Sequence, residues 1–136
     1  MILIFGGAYQ GKLDYAVERF RLSEEDIYHC SEDDAQMPTG KKLIYELDKW
    51  ILAMLKADAC TASAVKRLIE DNKDVIIVCN DVSCGIVPID PVMRAWREAV
   101  GRALAAIAGE ACAVVRLFCG VATVIKSDGG LITDEC

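Results

Sequence analysis

The chain opens with an apolar run, Ile2-Leu3-Ile4-Phe5, that passes directly into Gly6-Gly7-Ala8-Tyr9-Gln10-Gly11-Lys12-Leu13. This order constrains the fold more than any other stretch. A buried strand must end, the backbone must wrap on itself through glycines, and a helix must start at once. Leu13, Ala16, Val17 and Phe20 then recur at helical spacing. The pattern GxxxxGK in that setting is a phosphate-binding loop. Its successive N–H groups and the helix N-terminus face an anion, and its lysine reaches the outer phosphates as a movable charge. The expected nucleotide-binding residues are therefore Gly6, Gly7, Ala8, Tyr9, Gln10, Gly11, Lys12 and Leu13. The ligand class is a nucleoside triphosphate, ATP or GTP. One position departs from the pattern: Leu13 stands where a Ser or Thr hydroxyl usually ligates Mg²⁺. The alternative is a Gly-rich strand-to-helix turn that takes no ligand.

With 136 residues the chain suits one domain with a sizeable core. A single unit over 1–126 and a flexible tail over 127–136 are expected. No apolar run approaches the ~20 residues of a membrane span, and no secretory leader is recognisable. A net charge of −6 argues against a nucleic-acid partner. The seven cysteines are odd in number and include no CxxC pair. Several lie in apolar stretches, as Cys79 does after Val75-Ile76-Ile77-Val78, so they read as reduced, buried thiols of a cytoplasmic protein.

Further along, Asp26–Cys30 reads as a short strand and 31–40 as a polar loop. Residues 41–56 read as one helix with Leu43, Ile44, Leu47, Trp50, Ile51, Met54 and Leu55 inward. On that reading Glu46 and Asp48 fall on its exposed face. A helix near 60–71, a central strand over 74–79, and a helix capped by Asp90-Pro91 and stopped near Gly109 follow. Two strands around Cys119-Gly120 close the pattern as a hairpin. Strands alternating with helices give an α/β three-layer sandwich of the P-loop NTPase type, mostly parallel, with a C-terminal antiparallel hairpin. Ligands of such sheets bind at the carboxyl ends of strands. Asp81, just past the central strand, is accordingly the candidate catalytic acid and Mg²⁺ ligand beside Lys12.

Two segments resemble the adenosylcobinamide kinase/adenosylcobinamide-phosphate guanylyltransferase family of cobalamin biosynthesis. One is the loop Gly6–Leu13, where the family favours Gly-Gly-Ala-Arg-Ser-Gly-Lys-Ser. The other is Asn80-Asp81-Val82-Ser83-Cys84-Gly85-Ile86-Val87-Pro88, similar to the family's Asn-Glu-Val-Gly-x-Gly-Ile-Val-Pro. Arg94, Arg97, Gly101 and Arg102 follow at the family's spacing, and Ile125-Lys126 ends the hairpin. The resemblance implies transfer of a γ-phosphate to the aminopropanol hydroxyl of adenosylcobinamide, then GMP transfer through a histidine–GMP intermediate. It also implies a corrinoid ligand and a homo-oligomer, a trimer by the family's habit. Here residues 31–40 hold no histidine, His29 lies at a strand end, and no arginine occurs between Arg21 and Arg67; Glu46 and Asp48 lie nearest to the acid that ends the family's third strand, but on a stretch patterned as helix. The residues thus favour the kinase step over the guanylyl step. With Leu13 in place, the alternative is a degenerate nucleotide- or corrinoid-binding module or regulatory subunit.

Overall fold

A computed structural model describes residues 1–82 and 89–128. The described elements run β1 (Ile2–Gly6), α1 (Lys12–Phe20), a 3-10 turn (Glu24–Asp26), β2 (Ile27–His29) and β3 (Leu43–Tyr45). They continue with α2 (Leu47–Lys56), α3 (Thr61–Asp71), β4 (Ile76–Asn80), α4 (Pro91–Glu110), β5 (Ala113–Phe118) and β6 (Val121–Ser127). The six strands form one sheet in the order β2-β3-β4-β1-β5-β6. All pairings are parallel except β5 with β6. The mostly parallel α/β sheet with an antiparallel hairpin edge is the expected fold class.

β1 lies at the centre, in register with β4 on one side and β5 on the other. Successive side chains of a strand leave on opposite faces, and the two faces bury separate clusters. Leu3, Ile77, Cys79 and Val114 pack with Trp50, Ile51, Leu68, Val100 and Ile107 of α2, α3 and α4. Ile4, Val78, Val115 and Leu117 pack with Ala16 and its neighbours on α1. A sheet covered on both faces explains the near-continuous apolar strands β1 and β4.

The expected single helix over 41–56 is corrected. Leu43–Tyr45 is a strand between β2 and β4, and the helix starts only at Leu47. Leu43 and Ile44 are both almost wholly buried but on opposite sheet faces, Leu43 with the α1 cluster and Ile44 with the α2–α4 cluster. Helical periodicity fits these positions equally well. The decision is tertiary: without β3, the ladder edges of β2 and β4 would have no partner. Glu46, in the left-handed conformation (φ 57°, ψ 53°), makes the turn from strand to helix.

The hairpin is as expected. Cys119 and Gly120 both have positive φ, 51° and 76°, the geometry of a two-residue type I′ turn. α4 begins at the Asp90 cap, whose carboxylate accepts from the Val92 N–H at 2.9 Å, and runs one residue past Gly109. Cys30, Cys60, Cys79, Cys112 and Cys119 are free thiols. Cys84, the Gly85–Pro88 motif and the tail from 129 lie outside the described residues.

Candidate functional site

The phosphate-loop sequence forms a wrapped turn between β1 and α1. Tyr9 and Gly11 both take positive φ, 61° and 84°. Gly6 permits a close approach at the base of the loop, where a Cβ would run into the carbonyl oxygen of Leu117. The loop is also held from outside. The backbone N–H of Cys119 donates to Gln10 Oε1, and the Gly120 N–H donates to the Gln10 carbonyl at 3.1 Å. The β5–β6 turn therefore clasps the loop at Gln10, a role the sequence reading did not assign to either partner.

Lys12, the first residue of α1, is only 5% exposed. Its ammonium donates to the Gly7 carbonyl at 2.5 Å, folding the side chain back over the loop. Burial lowers its pKa; the charges of Asp48, Cys79 and Glu46 act the other way.

A cleft of about 610 Å³ opens over the loop, lined by Ala8 to Asp14 together with Tyr45, Glu46, Lys49 and Asn80. All the expected loop residues from Ala8 to Leu13 share it. The other walls come from the carboxyl ends of β3 and β4 and from the first turn of α2. Glu46, expected on an exposed helix face, is instead at the end of a strand in the cleft wall. Its carboxylate pairs with Lys49 Nζ at 2.8 Å.

Asp48, expected beside Glu46 on that exposed face, is likewise corrected: it is 3% exposed. Its Oδ1 accepts from the Asn80 N–H at 3.0 Å and its Oδ2 from Asn80 Nδ2 at 3.3 Å. Its carbonyl accepts from Trp96 Nε1 at 2.8 Å, tying α4 to α2. Burial raises its pKa, partly offset by the two bonds from Asn80. The same burial, with Asp48 next, pushes the Cys79 thiol well up; Cys30 is pushed up to about 12 for the same two reasons. Neither thiol is available as a thiolate.

Asp81 follows Asn80, and its N–H donates to the Gly6 carbonyl at 2.8 Å. Asp81 lines a different, mostly apolar cavity of about 280 Å³ with Leu3, Phe5, Leu104 and Ile125. The structure thus brings Lys12 together with Glu46, Lys49 and Asn80, and places Asp81 on a separate wall. His29 ends β2. Its Nε2 lies 2.5 Å from Glu24 Oε1, and its ring meets Tyr45 edge-on at 5.7 Å. Arg102 pairs with Glu98 along α4 and borders a groove against α3, a separate cavity from the one that Lys12 lines. No group of three or more metal-ligating side chains occurs among the described residues. No described helix is long and apolar enough to cross a membrane.

Comparison with known proteins adds the chemistry. The family model described as cobinamide kinase / cobinamide phosphate guanyltransferase matches residues 33–125, more than half of the chain. The match takes in β3 to β5 and most of β6, while the glycine-rich loop between β1 and α1 lies before it. No curated protein matches. The family match and the mostly parallel sheet with its hairpin edge agree: this chain belongs to the cobinamide kinase / cobinamide phosphate guanyltransferase family of cobalamin biosynthesis.

Proposed function

We propose that the chain is a cytoplasmic phosphotransferase that moves the γ-phosphate of ATP or GTP to the aminopropanol hydroxyl of adenosylcobinamide. The observation that carries this is the buried Lys12 ammonium folded over the phosphate loop, in one cleft with the carboxylate of Glu46. In the reaction the acceptor oxygen bonds to the γ-phosphorus and the bond from that phosphorus to the bridging oxygen breaks. The hydroxyl proton passes to a base, and a nucleoside diphosphate leaves. Such transfer depends on positioning and charge neutralisation more than on covalent help from the protein.

Each role falls to a named group. The loop amides from Gly6 to Leu13 hold phosphate oxygens, and Lys12 exchanges the Gly7 carbonyl for a phosphate. Mg²⁺ fits the donor set without the usual hydroxyl: Leu13 offers no side-chain oxygen, Glu46 and Asp14 line the cleft with carboxylates, and the ion commonly keeps several waters beside one or two carboxylates. Glu46 rather than Asp81 would hold it, because Glu46 shares the cleft with Lys12. The ion would neutralise charge on the phosphates. Asp81, among the lining residues of an apolar cavity, is assigned to the acceptor side as the base for the hydroxyl. A homotrimer and a bound corrinoid belong to the same proposal.

Leu13 favours a second reading: a relative that binds nucleotide without turning it over. Calorimetry with and without Mg²⁺, followed by phosphate transfer to adenosylcobinamide, separates the two. Turnover by the wild type that is lost in Lys12→Ala supports the enzyme. Binding without turnover, with turnover appearing in Leu13→Ser, supports the binding module.

A further inference from the structure

We propose that Lys49 is a second phosphate-contacting cation of the cleft, paired with Glu46 until a nucleoside triphosphate takes its place. The inference rests on the nucleotide-binding reading above and adds a residue to it. The Lys49 backbone N–H donates to the Glu46 carbonyl at 3.0 Å. The main chain is thereby fixed at both residues, and only the side chain has to swing. Both side chains are partly exposed to the cleft that Lys12 also lines.

Charge balance gives the swing its direction. Among the described residues lining the cleft, the cations are Lys12 and Lys49 and the carboxylates are Asp14 and Glu46. Tyr9 and Leu13 contribute no charge where the loop could have carried an arginine or a metal-binding hydroxyl. A triphosphate entering this cleft brings several negative charges and meets the Glu46 carboxylate. A solvent-touched Glu–Lys pair is a weak interaction, whereas an ammonium on a phosphate oxygen is a charge-assisted bond of the strong kind. Lys49 therefore gains by exchanging Glu46 for phosphate. The long unbranched stem of lysine allows that movement with no change of backbone. The exchange also frees the Glu46 carboxylate for the role assigned to it above. Lys49 lines the cleft from outside the loop, and the contact assigned to it is the terminal phosphate, which a diphosphate lacks.

The test is calorimetric titration of the full chain with ATP, GTP and their diphosphates, with and without Mg²⁺. Wild type, Lys49→Met, Lys49→Arg and Glu46→Gln are compared, and each is checked for native circular dichroism. Lys49→Met is expected to weaken triphosphate binding about tenfold and diphosphate binding far less, with Lys49→Arg recovering most of the loss. Glu46→Gln, which releases Lys49 and removes a repelling charge, is expected to tighten Mg²⁺-free triphosphate binding. An unchanged triphosphate affinity in Lys49→Met, or equal losses for triphosphate and diphosphate, overturns the role of Lys49 while leaving the cleft as a nucleotide site. A wild type that binds neither nucleotide overturns the cleft reading, and this proposal with it.

Discussion

The carboxylate of Asp48 takes both nitrogens of Asn80, the backbone N–H at 3.0 Å and the side-chain amide at 3.3 Å. The end of β4 is thus pinned to the first turn of α2 by a buried acid. Asn80 is the β4 residue in the cleft wall, so this pair fixes the distance between two walls of the site. Asp48→Ala leaves two donors without that acceptor and is expected to cost about 2–3 kcal/mol of stability. Asp48→Asn keeps the shape and one acceptor and should cost less. Urea unfolding of the two variants measures the difference.

The same carboxylate gives stability a pH dependence of known sign. Its pKa is raised in the folded state by burial, so the folded chain takes up this proton before the unfolded chain does as pH falls. Its ionisation therefore opposes folding above the raised value, and the cost is gone below the ordinary carboxylate range of about 4. The stability of wild type relative to Asp48→Asn should rise as pH is lowered from about 7 towards about 4. Urea midpoints of both chains across that range test it; a flat or falling difference would contradict the assignment.

Lys12 behaves in the opposite chemical sense. Burial lowers its pKa, with Asp48, Cys79 and Glu46 opposing the fall. Nucleotide affinity should accordingly decline on the alkaline side before an ordinary lysine would lose its proton. Lys12→Arg, charged at every accessible pH, should bind more weakly at neutral pH for lack of fit and lose that alkaline decline. Titrations at several pH values decide.

Two glycines are expected to respond in opposite directions. Gly6→Ala drives a methyl into the Leu117 carbonyl and should cost about 2 kcal/mol or more, since backbone on a central strand cannot easily yield. Gly109 lies in the last turn of α4 with nothing within 4 Å of an added Cβ. Gly109→Ala should stabilise the fold by roughly 0.5 kcal/mol. Thermal unfolding of the two variants provides the comparison.

Local signals carried most of the fold into view. The loop from Gly6 to Lys12, the Asp90-Pro91 cap and the Cys119-Gly120 turn each require particular backbone angles that few residue types supply, and each is where its residues imply. β3 was hidden because three residues cannot establish a period of two against the helical period of Leu47, Trp50, Ile51 and Met54 that follows. Its existence depends on β2 and β4, neighbours that the chain supplies from either side. Asp48 was hidden for a related reason. A charged residue on a helix normally faces water, and only the position of Asn80, 32 residues away in sequence, makes its burial tolerable. Glu46 lies just past a strand end in the cleft because β3 exists, so missing that strand put it on a helix face instead of in the cleft wall.

The clasp between Gln10 and the Cys119–Gly120 turn joins positions 109 residues apart. The glycine-rich loop is translated long before the hairpin that braces it, and β1 needs β5 for half of its ladder. A nascent chain exposing the loop through β4 would carry the motif without its outer brace. Nucleotide capture should therefore appear late, once β5 and β6 have docked.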